Sequence, residues 1–280
     1  MTADHPIWPA RLNHLCLDTP DPEAMIAFYR DGLAMTAEEI GPGHWRLDGP
    51  ERRILLRRAE AAGLGYAGFA IDDEAQLAAL RVRIQAAGCE ISDNPSPFLR
   101  QDAFAVADPD GNLFCFGAPS EALSVGSGIA GRLQHVVVAT EGLPAMMDFQ
   151  DRVLGTVTSD HVRADDGAIT AAFYRSDPEH HSFACFGAPE AGLDHHAYEV
   201  PDWNAIRDWA DHMADLRATS FWGPGRHGPG NNLFLMVLDP DGNKIEFSAE
   251  LEHMPIDMAH RDWPHEERTL NLWGGAWMRS

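Results

Sequence analysis

Three side chains in the second half of this chain, His135, His196 and Glu246, have the types to hold a divalent metal. Two neutral imidazoles and one carboxylate on one face of a curved sheet occupy part of an octahedral shell and leave positions open. That donor set suits a non-haem Fe(II) centre, with Mn(II) the near alternative, because open positions let a substrate and O2 bind together. Glu246 alone invites a different reading: it sits between Ile245 and Phe247, and strand glutamates normally face water. The case for a site comes from comparing the two halves of the chain.

The stretch around Glu246 shows what must position it. From Arg226 the sequence runs R-H-G-P-G-N-N, a glycine/proline loop carrying His227, then an apolar strand from Leu233 to Leu238. A turn at Asp239-Pro240-Asp241-Gly242 leads into the strand that holds Glu246. Proline presets φ there and Asp-Gly supplies the corner of a hairpin. The same turn stands at Asp108-Pro109-Asp110-Gly111, and more of the chain repeats with it. Leu12-Asn13-His14 matches Leu133-Gln134-His135, and the strand from Gly63 to Phe69 matches the strand from Gly192 to Tyr198. In that overlay His196 lies opposite Ala67 and Glu246 opposite Cys115. Core packing does not require polar groups in one copy and small apolar ones in the other; a site in the second copy does. His14, matched to His135, has no such partners and is expected to be a core residue. His195, next to His196, is expected on the other strand face with a structural role.

The pattern strand, helix, three strands starts at Arg11, Gly63, Leu133 and Leu193. Each βαβββ unit spans roughly 50–60 residues, too few to bury its own sheet face, so the units must pair. The fold expected is α+β: four units paired into two domains, each a curved, half-open barrel. Residues 1–120 form a degenerate metal-free domain and residues 121–250 the metal-binding domain, divided by the Gly/Ser-rich stretch Ser120–Gly131. Residues 251–280, with Trp263, Trp273 and Trp277, drop the repeat and read as a tail packed over the surface, closing a pocket or meeting another subunit.

Composition narrows the function. Forty-three acidic against 21 basic residues give a formal charge of −22, which excludes the positive footprint that nucleic acid and anionic membranes need. Cys16, Cys89, Cys115 and Cys185 show no C-x-x-C spacing, and Cys16, Cys115 and Cys185 lie in apolar runs, so buried free thiols are expected. The first ten residues lack an apolar signal segment, and no run is long enough to span a bilayer, which together point to a cytoplasmic setting.

The repeated unit, the Leu-x-His strands, the Asp-Pro-Asp-Gly turns and the terminal Glu246 resemble the vicinal oxygen chelate superfamily. More narrowly, residues 11–248 resemble its two-domain type I extradiol dioxygenases, which open catechols beside the two hydroxyls. The resemblance implies Fe(II) held by His135, His196 and Glu246, an aromatic diol and O2 as substrates, and a homo-oligomer. It also implies an acid–base histidine, matched by His181 in Glu179-His180-His181-Ser182-Phe183, and a loop histidine matched by His227. One position departs: Met236 stands where the family has a tyrosine that hydrogen-bonds a substrate oxygen, and methionine has no proton to donate. Two other activities of the fold compete with this one. A glyoxalase-type isomerase or lyase commonly uses four ligands, often pooled from two modules; a drug-sequestering binding protein has no metal triad.

Overall fold

The computed structural model describes residues 5–125, 131–218 and 220–276. Trp277 and the middle of the Ser120–Gly131 stretch, residues 126–130, lie outside the described residues.

The first unit begins with Arg11–Thr19 (β1), after which Asp21 caps the helix Pro22–Gly32 (α1) by accepting the Ala24 N–H. Proline is tolerated at that helix start because its missing N–H has no intrahelical partner there anyway. Thr36–Gly41 (β2), His44–Gly49 (β3) and Arg52–Arg58 (β4) form an antiparallel meander whose last strand lies parallel to β1. The second unit repeats this with Gly63–Ala70 (β5), Glu74–Ala86 (α2), Ile91–Asp93 (β6), Phe104–Ala107 (β7) and Leu113–Gly117 (β8).

The third unit contains Arg132–Thr140 (β9), Leu143–Asp148 (α3) continued by a π-helical segment Phe149–Leu154, Val157–Arg163 (β10), Ile169–Arg175 (β11) and Phe183–Gly187 (β12). The fourth contains Gly192–Glu199 (β13), Trp203–Asp215 (α4), Ser220–Arg226 (β14), Leu233–Leu238 (β15) and Lys244–Ala249 (β16). After the repeats come Arg261–Pro264 (β17) and a short helix, Glu267–Leu270 (α5).

Units join through their first strands, β1 antiparallel to β5 and β9 antiparallel to β13. The result is two sheets, β2-β3-β4-β1-β5-β8-β7-β6 and β14-β15-β16-β13-β9-β12-β11-β10-β17. Read from the matching edge, the second order reproduces the first strand for strand and then adds β17, which runs parallel to β10. Part of the tail is therefore built into the second sheet.

One face of each sheet packs into a core shared by both halves. Phe114 of β8 meets Phe149 and Phe183 from the second half at ring-centroid distances of 5.9 and 5.3 Å. Trp209 of α4 stacks on Phe247 of β16 at 4.3 Å. Polar ties cross as well: the Arg52 guanidinium donates to the Gly131 carbonyl, and the buried Tyr29 hydroxyl of α1 meets Nε2 of His196 at 3.1 Å. The other, concave faces form the two clefts. Cys16, Cys115 and Cys185 are buried and Cys89 is half-buried, all free thiols. Among the described residues no helix is long and apolar enough to cross a membrane.

Candidate metal centre and substrate pocket

Sheet register decides which side chains enter the second cleft. His135 of β9 is directly opposite Ala197 of β13, and Ala197 is in turn paired with Glu246 of β16. Directly opposed residues share a face and alternate residues return to it, so His135, Glu246, Ala197 and His195 all point the same way. His196 points the other way. The structure thus gathers His135, His195 and Glu246, whose ligand atoms lie within 4.8 Å of one another, and not the expected set of His135, His196 and Glu246. Nε2 of His195 is 3.3 Å and Nε2 of His135 3.7 Å from Oε2 of Glu246.

His196 is a core residue. Its ring lies between Tyr29 and Tyr198, at 6.4 and 5.5 Å, and burial pushes its pKa down to about 3. A signal for this was present in the sequence: Tyr198, two residues on, shares the face of His196, whereas the small Ala197 shares that of His195. The β-bulge between Leu193 and His195 shifts the register, so counting from the strand's start misleads.

The three groups are prepared for a cation. His195 donates its Nδ1 proton to Asp194 at 2.7 Å, and Asp194 is itself paired with Lys244 at 2.6 Å. Nε2 is then the lone-pair nitrogen and faces Glu246, the arrangement of a metal-ligating histidine oriented by a carboxylate. Asn232 donates to Oε1 of Glu246 at 2.9 Å and aims the carboxylate. His135 is buried, and neither of its ring nitrogens has a hydrogen-bond partner among the described residues. A buried orphan of this kind costs roughly 1–3 kcal/mol, a penalty a bound metal removes. Burial works to raise the Glu246 carboxyl, but a hydrogen bond and positive charge from His135, then positive charge on His227 and His195, outweigh it and bring the group down to about 2; a divalent ion would supply that positive charge in their place. An ionised carboxylate and neutral imidazoles are the ligating forms, so the residues fit a divalent ion.

His181 and His227 flank this cluster. The His181 ring lies 4.2 Å from that of His135 and is buried, which depresses its pKa well below the ordinary imidazole range. His227 donates Nδ1–H to the Leu270 carbonyl at 2.6 Å, stacks on Phe234 at 3.9 Å, and brings Nε2 to 3.9 Å from Oε1 of Glu246. Both line a cavity of about 420 Å³ together with His195, Glu246 and Met236. Met236 is paired with Glu246 across β15 and β16 and lies in the wall, so no hydroxyl is offered from that position. Leu143, Ile169, Phe173 and Phe186 form apolar lining, and His265, Thr269 and Leu270 of the tail line the cavity as well. A second group, His161, His260 and Asp262, lies near β17, but Oδ1 of Asp262 is engaged by Arg163 at 2.7 Å.

The sequence profile of the glyoxalase/bleomycin resistance protein/dioxygenase superfamily matches residues 11–116 and 132–247, one copy in each half. The chain belongs to this superfamily. Within the superfamily it is 29% identical to metapyrocatechase 2 of Cupriavidus necator, over 94% of this chain and 88% of that protein. It is 26% identical to an iron-dependent extradiol dioxygenase of Rhodococcus jostii (strain RHA1), over 89% and 92% of the respective chains. The fold matches that of homoprotocatechuate 2,3-dioxygenase from Brevibacterium fuscum, solved with 3,4-dihydroxyphenylacetate, at a TM-score of 0.83 and 24% identity. That match covers 96% of this chain and 91% of the other.

Proposed function

We propose that this superfamily member is an extradiol ring-cleaving dioxygenase that opens a catechol-type aromatic with O2. In this reading a divalent metal is held by His135, His195 and Glu246. The carrying observation is that cluster, oriented by Asp194 and Asn232 and opening on a cavity that also presents His181 and His227. Two imidazoles and a carboxylate with open positions suit Fe(II), with Mn(II) the near alternative, and the iron dependence of the Rhodococcus relative favours the first. When bound, the metal supplies a Lewis acid and a template for the two adjacent ring oxygens, and a route for electrons from the ring to O2.

The chain's own residues do the rest. His181, neutral and inside the cavity, takes a proton from a substrate hydroxyl and later returns it. His227, held by the Leu270 carbonyl and by Phe234, orients the substrate. Phe173, Phe186 and Ile169 hold the ring and keep water out. No arginine or lysine is among the described residues lining the cavity, so a catechol bearing an anionic arm finds no counter-charge. The substrate class favoured is a neutral catechol with an apolar substituent, a difference from the carboxylate-bearing 3,4-dihydroxyphenylacetate of the Brevibacterium complex.

The test is metal content of protein purified without air, followed by oxygen uptake with unsubstituted, alkyl- or aryl-substituted and carboxylate-bearing catechols. Stoichiometric iron or manganese, oxygen uptake and a yellow ring-fission product, fastest with an apolar substituent, are expected. Protein that takes up neither metal overturns the proposal.

A further inference from the structure

His181 does not stand alone. Its Nδ1 lies 2.9 Å from Nδ1 of His180, and Nε2 of His180 lies 2.9 Å from Oδ2 of Asp160 on β10. All three side chains are buried. Asp160 in turn takes four more contacts from the tail. Oδ1 accepts the backbone N–H and Nε of Arg261 at 3.2 and 2.9 Å, and Oδ2 accepts an Arg261 terminal nitrogen at 3.2 Å and Trp263 Nε1 at 2.8 Å. The parallel pairing of β17 with β10, Asp160 with Arg261, brings these donors into place. The backbone of His180 is held as well, its N–H donating to the Glu252 carbonyl at 2.8 Å and its carbonyl accepting from the Ser159 hydroxyl.

The protons of this chain can be placed by elimination. An ionised carboxylate only accepts, so the proton between Asp160 and His180 sits on Nε2 of His180. Burial opposes the charged form of Asp160, but the hydrogen bonds from His180 and Arg261 outweigh it and keep the group ionised. A neutral imidazole carries one proton, which makes Nδ1 of His180 a lone pair. Two lone pairs do not bond, so the proton between the histidines belongs to Nδ1 of His181. Nε2 of His181 is then the basic nitrogen, available to the cavity that the ring lines.

We propose that Asp160 and His180 are positioning residues that hold His181 as the Nδ1–H tautomer, and that the tail strand β17 locks them from behind. This rests on the reading of His181 as the acid–base group. A substrate hydroxyl proton then moves onto Nε2, and the resulting imidazolium keeps its Nδ1–H on His180, whose own Nε2–H stays on Asp160. The cation gains the field of a buried carboxylate without a second proton having to move. The tail, which the repeat does not need, thereby acquires a role in the chemistry of the second cleft.

The test reads the tautomer directly. Long-range proton–nitrogen NMR spectra of histidine-labelled, full-length, zinc-loaded protein, with the His181 signals identified by their loss in His181→Phe, are expected to show the proton on Nδ1. In His180→Phe, which keeps the ring but removes the acceptor, the Nε2–H form is expected to appear. With iron or manganese bound, His180→Phe is expected to keep its metal and bind catechol without O2 within about twofold of the parent, while kcat falls about 10²-fold. His180→Gln, whose amide oxygen can accept from Nδ1–H, is expected to recover about tenfold of that loss. An Nε2–H tautomer in the parent protein overturns the proposal, as does an unchanged kcat in metal-loaded His180→Phe. If the parent cleaves no catechol, the dioxygenase reading fails, while the NMR result still decides the tautomer.

Discussion

The two clefts of this molecule share a backbone and differ in what fills them. In the first, His14, Gly68 and Cys115 occupy the register positions of His135, Ala197 and Glu246, and Tyr66 that of His195. The loop between β6 and β7 folds inward there, placing Phe98 and Leu99 among Tyr66, Cys16 and Cys115. His14 meets Phe98 edge-on at 5.1 Å, and both its nitrogens are engaged, Nδ1 by Asn13 at 2.9 Å and Nε2 by Ser96 at 2.6 Å. In the second cleft the loop between β14 and β15 carries His227 rather than a plug, the cavity stays open, and His135 keeps both nitrogens unpaired among the described residues. Duplicated sheets therefore give a packing unit and a chemical unit. The loop and three side chains decide which is which.

The largest effect expected follows from removing His195, the proposed ligand that the register turns toward Glu246. His195→Ala is expected to weaken metal binding by more than about 100-fold, beyond what loss of an outer-shell partner costs, and to abolish turnover, measured by metal titration and oxygen uptake. Putting the missing carboxylate into the plugged cleft sharpens the contrast from the other side. Cys115→Glu is expected to bind no additional metal and to destabilise the fold by about 3 kcal/mol, read from denaturant unfolding, because the new charge is buried without ligands around it. His196→Leu removes the contact with the Tyr29 hydroxyl. About 1–3 kcal/mol of stability should be lost while stoichiometric metal is retained, the reverse of His195→Ala.

The last effect concerns pH. His14 is held down to about 3 by burial first and by the nearby Arg53 second, whereas in the unfolded chain it titrates near the ordinary value of 6.5. Between those values the unfolded chain binds a proton that the folded chain does not, so stability falls as pH drops from 6.5 toward 3. The contribution is about 1.4 kcal/mol per pH unit well inside that window. His14→Gln, whose amide can partner Asn13 and Ser96, is expected to flatten the slope by one proton in unfolding experiments across that range. An unchanged slope would show that His14 is solvated rather than sealed under the plug.

Much of this was legible in the chain itself. Turn residues at Asp108–Gly111 and Asp239–Gly242, apolar alternation and the overlay of the halves specify the four βαβββ units, because local chemistry and period carry that information. The overlay also singled out His135 and Glu246, whose counterparts are a plugged histidine and a cysteine. It favoured His196 over His195, the reverse of what the register shows, and the bulky Tyr198 on the face of His196 was only a hint against that choice. Adjacent strand residues differ only in which face they take, and the face was settled by a bulge and by pairing with strands distant in sequence. The same holds for Asp160: nothing near it in sequence marks it, and it meets His180 through folding, the segment after β11 returning to β10 with β17 closing on the other side. The sequence by itself determined the repeated units, the asymmetry between them and the chemical types in the second cleft. Tertiary structure alone decided which histidine faces the carboxylate, because side-chain direction in a sheet is a property of register, and register is set by long-range pairing.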